Sequence, residues 1–194
     1  MTVSSLRKKK SLRRWLLLPA WGCMVAAACC YFYNFRFFQV DDTNFDQAIN
    51  AAAAKHGLDP LLVRSVVYEE SRFNPREVGK AGEIGLMQIM PNLAAADWAK
   101  AHGKPLPSRE ELFDPQLNLE IGCWYLSDSL KRFKDYKYST ELALARYNAG
   151  LTRANAWIPK DKDAPVLENI TFPGTRKYVS NITARYQRYK KEAR

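Results

Sequence analysis

Histidine is almost missing from this chain of 194 residues, and the two that occur, His56 and His102, lie far apart. Cysteine is nearly as scarce. Three of the four, Cys23, Cys29 and Cys30, fall in one uncharged run, which leaves Cys123 alone in the remainder. None has metal-ligand spacing, and a single cysteine closes no disulfide within a domain. These absences exclude a metal centre, a Cys–His nucleophile and a disulfide-stapled scaffold. No cofactor is expected, and each histidine is read as covering a helix end. Segments that alternate apolar and polar residues are few and short, which argues against a sheet. Acidic residues are missing altogether before Asp41.

That last absence explains the charge. A net +10 first suggests nucleic acid, but seven of the 30 basic residues precede Phe37. Arg7, Lys8, Lys9, Lys10, Arg13 and Arg14 form a tail at 1–14, and from Phe37 onward the balance is only +3. The excess is a tail, so no nucleic-acid partner is expected. The tail leads into WLLLPAWGCMVAAACCYFY, residues 15–33, which carries no charge. At about 1.5 Å per residue this run just spans a hydrocarbon core of about 30 Å. The basic flank predicts a cytoplasmic N-terminus, and Tyr31, Phe32, Tyr33, Phe35, Phe37 and Phe38 suit an outer aromatic belt. A retained anchor, a cleaved signal peptide and a lipoprotein signal ending at Cys29 stay open. Each places the rest outside the cytoplasmic membrane. Residues 34–42 then form a linker and 43–194 a domain long enough to fold alone.

Within that domain the punctuation spells helices. They run over 41–57, 59–71, 90–103, 108–113, 114–133, 139–150 and 173–191. Asp59-Pro60 and Asp114-Pro115 are openings with a cap and a first-turn proline. Ser108 and Glu111 form a capping box. The stretches 72–86 and 157–172 are read as irregular. The expected fold class is all-α, a domain of about seven short helices without repeats, preceded by one transmembrane helix.

The helix at 59–71 ends in adjacent carboxylates, Glu69 and Glu70. At about 100° per residue, Leu62, Val63, Val66 and Val67 form one apolar stripe. Glu70 falls near its centre. Glu69 lies towards Ser65 at the edge, where Arg72 could pair with it. Burial and the helix C-terminus both hold the proton on Glu70, as a general acid requires. On periodicity alone the plainer alternative, a buried glutamate satisfied by a backbone or arginine partner, is the favoured reading.

The surrounding motifs are EESRFNP, GEIGLMQIMPNLA (82–94), LFDPQLNLEIGCWYL (112–126), LALARYNAG (142–150) and TRKYV (175–179). In this order and spacing the chain resembles the soluble lytic transglycosylase (SLT) family, lysozyme-like enzymes that cleave peptidoglycan, over about residues 43–190. The resemblance implies a lysozyme-like α domain and makes Glu70 the catalytic acid, being the Glu directly before Ser in the first motif. It implies a substrate site of Ser71, Gly85, Gln88, Met90, Tyr147 and Asn148, with Gly85 letting the backbone approach the sugar and Tyr147 and Asn148 facing Glu70. It implies further that glycan strands are the partner, that the protein acts as a monomer, and that one carboxyl serves as acid and then base, closing a 1,6-anhydro ring on the muramyl residue. The location is then the bacterial envelope, with an inner-membrane anchor and the catalytic domain on the far side. A lysozyme-type hydrolase on the same fold, or a non-catalytic peptidoglycan-binding protein, are the alternatives. The chain departs from the family pattern at Gly79, where a serine is frequent, at Glu83, where alanine is usual, and at Gly174, where a glutamate is frequent.

Overall fold

The computed structural model describes residues 43–194. The basic tail, the apolar run and the linker expected at 1–42 lie outside the described residues. Among the described residues no helix is long and apolar enough to cross a membrane.

Seven α-helices form the domain: α1 (Asp46–His56), α2 (Pro60–Ser71), α3 (Ala96–His102), α4 (Pro115–Arg132), α5 (Ser139–Ala149), α6 (Leu151–Ala156) and α7 (Pro173–Glu192). The expected openings are present. Asp59 accepts from Leu61 N at 2.8 Å and Asp114 from Leu117 N at 2.8 Å. Ser108 and Glu111 exchange backbone-to-side-chain hydrogen bonds ahead of a short 3-10 turn at Glu111–Phe113. Each such cap satisfies a helix-terminal N–H that has no partner inside the helix.

The start of the domain differs. α1 begins at Asp46, with no side-chain cap and with its first amide on Thr43 O at 3.1 Å. One further helix escaped the reading, and the one expected over 90–103 is divided. Gly150 ends α5, yet the same residue accepts from Ala154 N and opens α6. A glycine that punctuates a helix need not begin a loop. A π-turn at Pro91–Ala95 leads into α3.

α4 packs on α1 and α5, α5 on α7, α7 on α2, and α2 on α1. The helices therefore close around a common core. α5 runs through this core, with Leu142, Ala143, Leu144, Ala145 and Arg146 all buried. The predicted stripe on α2 is in that core, since Val63, Val66 and Val67 are fully inaccessible. Each such aliphatic side chain contributes about 1.5–3 kcal/mol relative to exposure. Ser65, read as part of a mixed edge, is buried too and donates to Leu61 O. α7 covers that flank as well, so the buried side of α2 is wider than its aliphatic stripe.

The stretch read as irregular after α2 has internal order. Ile84 bridges to Val78 and to Ile89, which folds 78–89 into a tight double-backed loop against α2. The histidines behave as expected. His56 lies 3.1 Å from Glu120, and His102 Nδ1 meets Trp98 O at 2.8 Å at the end of α3. Cys123 is a free, buried thiol whose pKa burial pushes up to about 12, which makes it inert.

Candidate active site

Glu70 stands in the last turn of α2 as a half-buried residue, with its carboxyl against Tyr178 of α7. Its pKa is raised to about 8, chiefly because burial disfavours the charged form, with smaller increments from the charges of Glu69 and Glu83. One contact opposes this. Tyr178 Oη on α7 donates to Glu70 Oε1 at 2.6 Å, which favours the carboxylate. That hydroxyl is an unfailing donor, because burial and the neighbouring Glu70 hold its own pKa well above 10. With Oε1 occupied, Oε2 is the oxygen left to carry and deliver a proton. The group can thus act as an acid at neutral pH and still be stabilised after the proton has gone.

Tyr178 was not among the residues singled out from the sequence. A signal existed. Thr175, Tyr178, Val179 and Ile182 are the buried residues of α7, at helical spacing. A tyrosine on such a stripe needs a partner for its hydroxyl, but only the docking of α7 on α2 shows which.

Glu69 is not a free edge carboxylate, and the expected pairing with Arg72 does not form. Asn181 Nδ2 donates to Glu69 Oε1 at 2.8 Å, and Arg185 lies 3.8 Å from Oε2. Arg72 instead caps the helix in a left-handed conformation (φ 53°) and stacks on Tyr68, 4.1 Å from the ring centroid.

The other predicted residues divide by what they touch. Ser71 is buried, and its hydroxyl donates to Leu86 O at 2.9 Å and Val67 O at 3.2 Å. It ties α2 to the loop and supports the site from behind. Gly85 is also buried, and its backbone is met by Asn118. Its φ is 78°, and a Cβ there would lie 2.5 Å from Asn118 Nδ2. Gly85 is needed so that Asn118 can reach the loop. Asn118, fully buried on α4, accepts from Met87 N and donates to Ile84 O and Leu112 O, each at 2.8 Å. The sequence reading overlooked it, because an asparagine inside an amphipathic helix carries no local mark of a distant loop.

Gln88 adopts φ 49° and is held by Nε2 donating to Gly85 O at 3.0 Å and Glu77 O at 3.3 Å. Arg72, Phe73 and Gln88 are the non-glycine residues with positive φ among the described residues. Arg72 and Phe73 directly follow the helix end that carries Glu70, and Gln88 lies in the loop at 78–89, a pattern of backbone strain of the kind found at functional sites. Tyr147 donates to Met87 O at 2.8 Å, and burial, with the charge of Glu70 second, holds its pKa well above 10. Asn148 is exposed and accepts from Thr175 Oγ1 at 2.7 Å. It does not bond to Glu70. It lines a cavity of about 630 Å³ with Glu69, Thr175, Tyr178 and Lys177. Met90 is half-buried where the loop meets the π-turn.

Two of the departures prove to be coupled. A Cβ on Gly79 would lie 2.2 Å from Glu83 Oε2 and 2.7 Å from Gln88 Oε1. The Glu83 carboxylate occupies the space a side chain at 79 would need, and Ala81 N holds it there at 2.9 Å. The third, Gly174, borders the 630 Å³ cavity with open space where a side chain would project. Glu83→Gln keeps an acceptor for Ala81 N but removes the charge. The expected result is a lower Glu70 pKa, because a nearby negative charge disfavours ionisation. Carbon-13 NMR titration of the Glu70 carboxyl should place the midpoint near 8 in the wild type and lower in the variant. An unmoved midpoint would show that Glu83 does not act on Glu70.

Among the described residues no cluster of His, Cys, Asp or Glu could hold a metal ion. Residues 47–169 match the model of a family described as the transglycosylase SLT domain. The chain is 38% identical over 108 residues to membrane-bound lytic murein transglycosylase E of Buchnera aphidicola, covering 55% of this chain and 49% of that one. It is 30% identical over 153 residues to membrane-bound lytic murein transglycosylase C of Yersinia pestis, covering 71% and 42%. The chain thus spans about half the length of the curated relatives it matches. Among solved structures, an inactive mutant of the lytic transglycosylase Slt from Pseudomonas aeruginosa superimposes with a TM-score of 0.66 at 28% identity, over 76% of this chain and 24% of that one.

Proposed function

Because the chain belongs to the transglycosylase SLT domain family, we propose that it is a lytic transglycosylase that cleaves the bond between N-acetylmuramic acid and N-acetylglucosamine in peptidoglycan. The observation that carries this reading is Glu70, a buried carboxyl with a pKa of about 8 held on one oxygen by Tyr178. Glu70 Oε2 donates its proton to the glycosidic oxygen as the bond to the muramyl C1 breaks. The substrate's own acetamido oxygen stabilises the positive C1, the substrate-assisted variant of glycoside cleavage. The Glu70 carboxylate, now accepting from Tyr178, takes the proton of the muramyl C6 hydroxyl. That oxygen closes on C1 and gives the 1,6-anhydro product. No water is consumed, and a pKa near the working pH lets one group serve both steps.

Gln88 and Met90 on the loop and Asn148 on α5 are proposed to hold the sugars. Tyr147 fixes the loop through Met87 O. Ser71 and Gly85 act one layer further back. The names of the relatives support membrane association, and the basic tail with the uncharged run at 15–33 supports an inner-membrane anchor with the domain in the envelope beside its substrate.

Glu83 favours keeping hydrolysis as a second reading, since a second carboxylate acts on Glu70 and could orient water. Mass spectrometry of a peptidoglycan digest separates the two. Transglycosylation leaves every new muramyl end in the anhydro form. Reducing ends instead would assign hydrolysis and overturn the main reading. An unchanged muropeptide profile alongside binding to sacculi would assign a non-catalytic role.

A further inference from the structure

Beside the Glu70 site, α2 and α7 enclose a pocket of about 370 Å³ lined by Glu69, Arg72, Asn181, Ala184, Arg185 and Arg188. Three of its six lining residues are arginines, against one carboxylate. Arg72 and Arg185 both lie on Tyr68, their guanidinium carbons 4.1 Å and 3.5 Å from the ring centroid. Two guanidiniums that close to one ring cannot share a face without overlapping, so they take opposite faces. Stacking fixes their planes and so the directions of their N–H edges, which suit an in-plane acceptor.

The local anions do not consume these donors. Glu69 has Asn181 on one oxygen and Arg185 at 3.8 Å from the other. Arg185 Nε is buried and makes no hydrogen bond among the described residues. Arg188 meets Glu192 at 3.6 Å, an exposed pair between side chains 58% and 63% accessible. Such a pair is worth little and yields readily to a better acceptor. Glu69 lines this pocket and also the 630 Å³ cavity that contains Tyr178, so the two adjoin. On the cavity side Lys177 adds a cation, and Gly174 leaves out the carboxylate frequent there.

We propose that this arginine pocket binds a carboxylate of the peptide stem borne by the muramyl residue, so that the enzyme prefers stem-bearing over bare glycan. The inference rests on the peptidoglycan reading above. A planar carboxylate is the ligand that forked, stacked guanidiniums match. The sugars carry no charge of their own once the lactyl group is in amide linkage, so the stem is the source of anions near the scissile bond.

The test is kcat/KM on purified glycan strands with and without stems, the latter prepared by amidase treatment followed by carbodiimide amidation of the lactyl carboxylates it frees, so that the bare strands carry no charge. The full chain is compared with an Arg72→Asn, Arg188→Gln double variant; asparagine tolerates the left-handed conformation of position 72. The wild type should favour stem-bearing strands by roughly tenfold, the scale of one charge-assisted contact. The double variant should lose that preference while cleaving bare strands as before. A preference that survives in the variant, or is absent from the wild type, overturns the inference. If the wild type cleaves neither substrate, the catalytic reading fails and a binding measurement still decides this one. A disaccharide-tetrapeptide should shift the Arg185 Nε–H resonance in the wild type and not in the double variant. No shift in the wild type overturns it.

Discussion

Glu70→Gln should abolish turnover and at the same time raise stability. Glutamine keeps the shape of the side chain and can still accept the Tyr178 hydroxyl, but it can neither give nor take the proton. The loss should be at least the roughly 10²–10⁴-fold of a general acid–base group, and larger because one residue serves both steps. Glu69→Gln is the matched control. It retains an oxygen for Asn181 and should keep most activity; equal loss in both variants would refute the division of roles. The stability effect has a definite sign. Glu70 titrates at about 8 in the fold against an ordinary 4.5, so the folded state binds its proton more tightly than the unfolded chain. The wild type therefore loses stability as pH rises from about 4.5 to about 8. The variant has no such group. Its melting temperature should match the wild type in acid, pull ahead as pH rises, and hold a constant lead above about 8. Parallel melting curves across that range would show that Glu70 is not a buried acid.

Asn118→Ala should be the most damaging substitution outside the catalytic carboxyl. The side chain is wholly inaccessible and makes three hydrogen bonds to backbone atoms of Ile84, Met87 and Leu112. Alanine strands two carbonyls and an N–H in the interior and leaves a void beside Gly85. At about 1–3 kcal/mol per unsatisfied buried group, with partial relaxation, the cost should be about 3–4 kcal/mol. For a domain of this size that is a fall of about 10 °C in melting temperature. Activity should fall further than the folded fraction accounts for, because Asn118 positions the loop that carries Gln88 and Met90. Asn118→Asp separates the two donor bonds from the acceptor. It keeps the oxygen for Met87 N, loses both carbonyl contacts and buries a charge, so its destabilisation should deepen as pH rises. Melting curves of both variants at pH 5 and pH 8, with activity measured well below the transition, test this. A loss under about 1 kcal/mol for alanine would show that the loop is held by other means.

Much of this was legible because the signals are local. Asp59-Pro60, the Ser108–Glu111 box and the α2 stripe each depend on residues within about four positions, which one turn of helix brings together. The same periodicity ranked Glu70 above Glu69. The loop at 78–89 was recognisable only as a motif. Its bridges, its positive φ angles and the exchange of space between Gly79 and Glu83 are decided by backbone turns that have no period to read.

By itself, then, the sequence determined a helical domain, the helix that carries Glu70 and the face on which Glu70 lies, since helix geometry converts spacing directly into direction. Only the tertiary structure decided what meets that carboxyl. Tyr178 reaches it across 108 positions, and Asn181 reaches Glu69 across 112. Asn118 grips the loop across 34 positions at Ile84. Those pairings arise from how α7 and α4 dock on their neighbours, and docking is set by the summed shape of the core. No short window of residues contains that sum, so neither the hold of Tyr178 on Glu70 nor the arginine pocket beside it could be read before the helices were assembled, although the raised proton affinity itself followed from the helical face.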